Sequence, residues 1–247
     1  MSSKPSIVLV HGAWQTSASF HKIVPLLNLA GYETYTVDLP CSAQHTVSDI
    51  RPDIDTIRSR IWELVEGGKD VLVFMHSYGS VPGSEACKEL DKESKRKQGK
   101  NGGITGLIFC CSFLLPEGSS VIDMLGGQDL PWFRLSPDNL TVSPAAPRDL
   151  FFNDMEEQEA RKWVDSLTSH SYATLFDKAT YAAYRYIGST YLFCTRDQAL
   201  PYSTQRAMVE GSKSQFRSET FYAGHFPFLT VPDKVVKAIR RAAGEIV

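Results

Sequence analysis

The 247-residue sequence lacks the features that would direct a chain into a membrane or onto nucleic acid. No apolar run approaches the roughly 20 residues that a membrane-spanning helix needs, and the segment from Met1 to Pro5 has no apolar signal-peptide core. Lysine and arginine total 26 against 28 acidic residues, with no extended basic stripe. We therefore expect a cytoplasmic protein that acts on a small molecule, with no nucleic-acid or membrane partner. The sequence leaves a homodimer open.

Cysteines are few and odd in number, which argues against a disulfide framework. Cys110, Cys111 and Cys194 lie in apolar, strand-like runs, where a free cysteine packs as a small hydrophobic side chain. Cys111 and Cys194 are alternatives for a nucleophile, but neither sits on a strand-to-helix turn. No Cys/His spacing suggests zinc, and no glycine-rich loop matches a phosphate cradle. The sequence therefore predicts neither a metal nor a cofactor.

Short apolar runs alternate with helical patterns at both ends of the chain, and this alternation predicts an α/β protein with a mostly parallel twisted sheet flanked by helices. Strands are expected at 6–10, 34–37, 70–75, 104–113, 190–194 and 217–222. Helices are expected at 19–30, 50–65, 79–93, 201–211 and 232–244. The charged stretch 92–103 is expected to be a solvated loop.

The segment 114–189 interrupts this alternation with five prolines and a concentration of aromatic residues. Helical patterns recur there around 156–166 and 172–184. We interpret the segment as a helical cap inserted into a single α/β domain, whose core is formed by 1–113 and 190–247. Four aromatic residues are predicted to line the substrate pocket: Trp14 of the core and Trp132, Phe133 and Phe176 of the cap.

The stretch from Val71 to Ser80 carries Ser77 from a buried strand into a sharp turn before a helix. A serine hydroxyl is a weak nucleophile near neutral pH, and the Gly-x-Ser-x-Gly elbow exposes it to an activating base. Gly79 matches this pattern, whereas Met75 occupies the first glycine position. Small residues at both positions normally let strand and helix approach each other, so Met75 leaves the geometry of the elbow in question.

Two later loops offer an acid and a histidine behind this serine. Asp197 follows the strand 190–194, and His225 follows the strand 217–222. The carboxyl ends of parallel strands meet at one edge of a sheet, so we expect these side chains to converge there with Ser77. The three form a candidate Ser-His-Asp triad. Glu117, just beyond the preceding strand, is the alternative acid.

The turn that follows the first strand, His11-Gly-Ala-Trp14, is the candidate oxyanion site. Its backbone N–H groups would join that of Tyr78, the residue after the nucleophile. Ala13 is the first choice for the donor in this turn and Trp14 the second. His11 itself is expected to brace the turn by hydrogen bonds.

The other histidines are not expected to act as the base. His76 adjoins Ser77, but neighbouring residues of an elbow point away from each other. No supporting context surrounds the remaining three, for which a surface or packing role is expected: His21, His45 and His170.

Four stretches together resemble the α/β-hydrolase superfamily. They are Val8-Leu-Val-His-Gly-Ala-Trp14, His76-Ser-Tyr-Gly79, Cys194-Thr-Arg-Asp-Gln-Ala-Leu-Pro201 and Ala223-Gly-His225. The likeness is greatest to the small cofactor-free branch of plant methylesterases, hydroxynitrile lyases and related microbial and fungal esterases. It implies the α/β-hydrolase fold, with Ser77 as nucleophile, His225 as base and Asp197 as the orienting acid. It also implies Ala13 and Tyr78 as oxyanion donors.

The leading hypothesis is a serine hydrolase that cleaves a small carboxylic ester or lactone through an acyl-enzyme. One alternative is a cofactor-free lyase, in which Ser77 and His225 relay a proton during C–C cleavage or elimination. Hydroxynitrile lyases of this branch depend on a cap lysine, and Lys178 is the position to check. The other alternative is a small-molecule receptor with the hydrolase fold, against which the intact Ser77, Asp197 and His225 set argues.

Overall fold

The structure is a computed structural model that describes residues 4–42 and 46–247, so His45 and the first three residues lie outside it. Its strands are β1 (Ser6–Val10), β2 (Thr34–Val37), β3 (Asp70–His76), β4 (Gly103–Cys110), β5 (Phe133–Leu135), β6 (Thr141–Pro144), β7 (His170–Ser171), β8 (Ser189–Cys194) and β9 (Phe216–Phe221). Its α-helices are α1 (Ile23–Leu29), α2 (Arg51–Glu66), α3 (Ser80–Ala86), α4 (Lys92–Lys97), α5 (Val121–Met124), α6 (Pro147–Phe151), α7 (Glu157–Asp165), α8 (Tyr202–Gly211), α9 (Pro227–Thr230) and α10 (Pro232–Ala242).

Within the described ranges, six parallel strands form the central sheet in the order β2-β1-β3-β4-β8-β9. Every residue of β1 is buried, as expected for a parallel strand covered on both faces. The order places β3 between β1 and β4, so the residue that follows β3 emerges near the middle of the sheet edge. This confirms the predicted fold class and brings the loops after β1, β3, β8 and β9 to the same edge.

The predicted core strands are all present, and the largest difference lies at β4. The sequence pattern extends this strand to residue 113, but it ends at Cys110 because Cys111 adopts a left-handed φ of 47°. A left-handed residue cannot continue an extended strand.

The helix predicted over 79–93 is wrong in its extent, because it is two helices. Helix α3 ends at Ala86, and a turn with Glu89 at a φ of 61° precedes α4. The Asp91 side chain begins α4 by accepting a hydrogen bond of 2.9 Å from the Ser94 N–H. The stretch predicted as a charged loop therefore starts with a capped helix.

In the segment 114–189, predicted as the cap and described at every residue, helices α5 to α7 accompany a three-stranded antiparallel sheet in the order β5-β6-β7. The helical pattern at 156–166 is confirmed as α7. The helix predicted over 172–184 is wrong, since only short 3₁₀ turns form at each end of it. Between them, Ala179 exchanges backbone hydrogen bonds with Gly118 and Ser119, which draws the chain away from a helical path.

None of the helices in the described ranges has both the length and the apolar character needed to cross a membrane.

Candidate active site

Ser77 occupies the short 3₁₀ turn that joins β3 to α3, and its φ is 50°. A left-handed φ is unfavourable for any residue with a side chain and persists only where the surrounding structure imposes it. Here the conformation of Ser77 is imposed by close packing of the elbow against the backbone of the turn after β1. A Cβ added at Gly79 would lie 2.2 Å from the carbonyl oxygen of His11, so only glycine fits between the elbow and the turn after β1.

The elbow accommodates Met75 through a glycine on the following helix. A Cβ added at Gly83 would lie 2.6 Å from the sulfur of Met75, so the missing side chain on α3 provides the space that the thioether fills. Strand and helix therefore approach each other across Met75 and Gly83, and the departure from Gly-x-Ser-x-Gly does not prevent the elbow from forming.

Gly83→Ala is expected to destabilise the protein by about 1–3 kcal/mol, because its methyl group would overpack against Met75. In the double variant Met75→Ala/Gly83→Ala, the loss in free energy of unfolding is expected to be smaller than the sum of the losses in the two single variants. The methyl group added at position 83 then enters the space that the Met75 side chain has left. Urea unfolding measures these free energies. The matched control is Gly211→Ala in α8, where a Cβ meets nothing within 4 Å. Strictly additive effects of the two changes would contradict this packing.

His225 and Asp197 are buried and bonded to each other at the sheet edge. The imidazole Nδ1 lies 2.7 Å from Oδ2 of Asp197. The other carboxylate oxygen accepts the N–H groups of Ala199 at 2.9 Å and Leu200 at 2.8 Å. Gln205 also donates to Oδ2, at 3.1 Å. Because the carboxylate only accepts, Nδ1 carries the hydrogen and Nε2 is left with the lone pair that a general base needs.

Ser77 and His225 line the same cavity beneath the cap. No hydrogen bond joins these two described side chains in this arrangement. Hydrogen bonds between catalytic groups commonly tighten only when a substrate binds. The arrangement therefore places a serine hydroxyl and an imidazole at the same cavity.

Two candidate oxyanion donors also reach this cavity. Ala13 and Tyr78 both line the cavity, and the backbone N–H of Ala13 has no acceptor among the described residues. The N–H of Trp14 is likewise without an acceptor there. Buried N–H groups without partners are rare, and they suit a site that must stabilise a developing negative charge.

His11 and His76 support the site without acting as bases. Nε2 of His11 accepts the N–H of Leu39 at 3.0 Å, while Nδ1 donates to the carbonyl of Gly12 at 2.8 Å. His76 donates from Nε2 to the backbone carbonyl of His225 at 2.8 Å. Burial lowers the pKa of His11, and burial together with the neighbouring His225 lowers that of His76 well below its usual value. Both rings are therefore neutral braces, as predicted for His11.

His170 packs inside the protein, and His21 contacts the ring of Trp163 at 5.4 Å. The His170 ring lies edge-on to Tyr78 with centroids 4.4 Å apart, and its Nε2 is 3.1 Å from the hydroxyl of Thr174. Burial lowers the pKa of His170 to about 3. Of the two roles expected for His170, at the surface or in packing, the structure shows packing.

Acidification is expected to destabilise the protein through His170. The unfolded chain binds a proton on this ring below about pH 6.5, whereas the folded protein resists it down to about pH 3. The contribution of the uncharged His170 ring to the free energy of unfolding is thus complete above pH 6.5. This contribution falls by about 3 kcal/mol between pH 7 and pH 4. In urea unfolding, the free energy of unfolding of His170→Asn should depend less steeply on pH than that of wild type. The control His21→Asn, which changes an exposed histidine, should keep the wild-type slope. An unchanged slope in His170→Asn would contradict the assignment.

The cavity beside Ser77 is small, about 40 Å³, and its walls are mostly apolar. Trp14, Trp132 and Phe133 line it, as predicted. Phe176 does not, so that prediction is wrong: its ring is 45% exposed and packs against Tyr172. The turn that ends at Phe176 directs its neighbour Leu175 inward instead.

Phe151 is a lining residue that the sequence analysis missed. Its ring stacks on Trp14 with centroids 5.6 Å apart and lies 5.6 Å from the ring of His225. No local signal in the sequence marks this residue among the aromatic residues of the cap. A substrate larger than a few water molecules requires these side chains to move.

The alternative acid, Glu117, and the cap lysine of the lyase hypothesis, Lys178, lie away from His225 and the cavity. Glu117 accepts the N–H of Ala182 at 3.2 Å and makes no contact with His225, so the structure favours Asp197 as the acid. Lys178 is 55% exposed in its side chain and pairs with Asp123 outside the cavity.

Cys111 is the one other ligand-type side chain beside the acid and the histidine in the described ranges. Its sulfur, an oxygen of Asp197 and a nitrogen of His225 lie within 4.8 Å of one another, a spacing at which a metal ion could bind. Burial raises the pKa of the Cys111 thiol well above its usual value, which leaves it protonated and a poor ligand. The direct bond between His225 and Asp197 fits an acid–base pair better. All five cysteines are buried free thiols, and burial was expected for Cys110, Cys111 and Cys194.

Comparison with known proteins assigns the family. The profile described as "Alpha/beta hydrolase family" matches residues 7–238. The "Alpha/beta hydrolase nvfD" of Aspergillus novofumigatus is 32% identical over 248 residues, 99% of this chain and 98% of that protein. The "Salicylic acid-binding protein 2" of Nicotiana tabacum is 25% identical over 251 residues, 96% of each chain. The solved structure of the methylesterase MES16 from Arabidopsis superposes with a TM-score of 0.77, at 17% identity and with 97% and 99% of the two chains covered. The chain therefore belongs to the alpha/beta hydrolase family, resembles the plant methylesterases within it, and is a hydrolase.

Proposed function

We propose that this hydrolase cleaves a small carboxylic ester or lactone through a Ser77-His225-Asp197 triad and an acyl-enzyme. The observation that carries the proposal is the buried 2.7 Å hydrogen bond between His225 and Asp197, which leaves Nε2 of His225 free at the cavity that Ser77 also lines. The likeness to a methylesterase supports ester chemistry.

Acylation begins when Oγ of Ser77 attacks the carbonyl carbon and its proton passes to Nε2 of His225. The tetrahedral oxyanion accepts hydrogen bonds from the N–H groups of Ala13 and Tyr78. As the C–O bond to the leaving alcohol breaks, His225 returns the proton to the alcohol oxygen. In a lactone, that oxygen stays attached to the acyl group.

Deacylation repeats these steps with water. His225 takes a proton from the water as its oxygen attacks the acyl carbon, and the proton then returns to Oγ of Ser77 as the acid departs. Asp197 stabilises the imidazolium that forms in both halves of the reaction.

The walls of the cavity favour an uncharged substrate. Trp14, Trp132, Phe133 and Phe151 line the cavity, and no aspartate, glutamate, lysine or arginine does so within the described residues. Burying a charged acyl or alcohol group there would cost several kcal/mol without a compensating partner.

A panel of p-nitrophenyl esters of increasing acyl length, together with lactones of several ring sizes, tests the proposal. We expect turnover of short or aromatic uncharged esters and much weaker turnover of esters that carry a carboxylate or ammonium group. Turnover of no ester or lactone by a protein whose serine also fails to react with a fluorophosphonate would contradict the proposal.

A further inference from the structure

The last residue of α6 and the turn that follows it contact both of the loops that carry the acid and the histidine. We propose that this segment, residues 151–154, here called the cap turn, is a clamp that positions the acid–base pair, and that Asn153 and Asp154 are its positioning residues. The inference rests on the proposed function for its catalytic consequence, and neither positioning residue lines the cavity beside Ser77.

Each polar residue of the cap turn holds the peptide directly before a triad residue. Nδ2 of Asn153 donates to the carbonyl of Arg196 at 2.9 Å, and Arg196 precedes the acid. Oδ2 of Asp154 accepts the N–H of Gly224 at 2.6 Å, and Gly224 precedes the histidine. The pair therefore fixes both loops from the side of the cap.

The aromatic half of the cap turn continues these contacts along the histidine loop. The ring of Phe151 lies 5.6 Å from that of His225 at an interplanar angle of 31°. Phe152 stacks on Phe226, the next residue, with centroids 5.1 Å apart. Four consecutive cap residues thus hold the acid and histidine loops at the residues adjoining the pair and at the imidazole itself.

Gly224 is shaped to receive the clamp. A Cβ at this position would lie 2.6 Å from Oδ1 of Asn153 and 2.6 Å from Oδ1 of Asp154. Its φ is not in the left-handed region, so glycine is required for space and not for conformation. Both Oδ1 atoms are buried without a hydrogen-bond partner among the described residues, so their other contacts must hold them there.

The cap turn is itself braced, which makes it a rigid support. Arg148 of α6 donates to the carbonyl of Phe152 at 2.8 Å and to that of Met155 at 3.3 Å. The acid and histidine loops are also hydrogen-bonded to each other, because the backbone N–H of Arg196 donates to the carbonyl of Ala223 at 3.0 Å. A displacement of about 1 Å can cost about 100-fold in rate, so losing the anchor from the cap should impair the chemical step.

The test uses full-length Asp154→Ala and Asn153→Ala, with Asp154→Asn as the conservative variant, because its amide oxygen can still accept the Gly224 N–H. Asp165→Ala, an exposed acid at the end of α7, is the matched control. We expect the two clamp alanine variants to lower kcat on a p-nitrophenyl ester and the rate of fluorophosphonate labelling by about 10- to 100-fold, with KM nearly unchanged. The conservative variant should recover most of the rate, and the control should match wild type.

Gly224→Ala provides an independent route to the same clamp. Its methyl group should push Asn153 and Asp154 away and lower kcat by about 10- to 100-fold. In an Asn153→Ala/Asp154→Ala background the methyl group no longer meets these oxygens, so the further loss should be within about 3-fold. If Gly224→Ala still lowered kcat by about 10- to 100-fold in that background, the proposed clamp would be overturned.

Proton NMR of the Nδ1–H in the His225–Asp197 hydrogen bond separates failure of the clamp from failure of the proposed function. A wild type that is neither labelled nor active would contradict the proposed function alone. An unchanged Nδ1–H resonance in Asp154→Ala would overturn the clamp whatever the activity, as would wild-type labelling rates in both alanine variants. A broadened or shifted resonance that Asp154→Asn restores supports it.

Discussion

Ser77→Ala should lower kcat for ester hydrolysis by about 10⁴- to 10⁶-fold without unfolding the protein. The change removes the only atom that the proposed reaction bonds to the substrate, whereas the base and the oxyanion donors remain. The elbow should persist because its left-handed backbone is imposed by packing of Gly79 against the turn after β1. Initial rates at saturating p-nitrophenyl ester, with urea unfolding in parallel, measure the two effects.

Ser84→Ala is the matched control for this change, because it removes a serine hydroxyl from α3, the helix that begins after the elbow. Its activity should equal that of wild type. Ester cleavage by Ser77→Ala at more than about a hundredth of the wild-type rate would exclude Ser77 as the nucleophile.

Asp197→Asn should lower kcat by about 10⁴-fold, the size of the effect seen when the acid of such a triad becomes an amide. The amide oxygen can still accept the N–H groups of Ala199 and Leu200, which turns its NH₂ group towards His225. Nδ1 would then have to accept a hydrogen bond, and Nε2 would carry the hydrogen. A ring in that tautomer cannot take the proton of Ser77.

Glu117→Gln is the control for the acid, since Glu117 is the alternative in the sequence. It makes no contact with the histidine, so its kcat should stay close to wild type. A large loss in Glu117→Gln together with a small one in Asp197→Asn would reverse the assignment of the acid.

The core of the fold and the sheet edge shared by the three candidate residues could be predicted because both follow from local patterns. Strands β3 and β8 come from largely apolar runs, whereas β9 is a polar stretch between Phe216 and Phe221, and each candidate residue stands just after one of the three strands. In a parallel sheet this spacing alone brings Ser77, Asp197 and His225 to one edge.

The features that could not be predicted depend on contacts between distant residues. Met75 breaks a local pattern, and its compensation by Gly83 becomes visible only when strand and helix are packed. Phe176 and Leu175 are adjacent and apolar, so the sequence could not tell which one faces the cavity. The short strands β5 to β7 have little pattern of their own, because they are stabilised by pairing within the cap.

The clamp illustrates the same limit within the site. Asn153 and Asp154 stand in a polar turn of the kind that usually lies in solvent. Only the approach of the cap to Arg196 and Gly224 gives their side chains partners. Residues that hold a catalytic group from a distance leave no motif in a single sequence.

The central claim is that Ser77 is a nucleophile activated by His225, and covalent labelling tests it most directly. The purified protein is treated with a fluorophosphonate at neutral pH, and intact mass spectrometry and peptide mapping locate the adduct. We expect one phosphonyl group per chain, on Ser77, with no labelling of Ser77→Ala and labelling of His225→Ala slowed by several orders of magnitude. An adduct on another residue, or none in a preparation that hydrolyses esters, would contradict the claim.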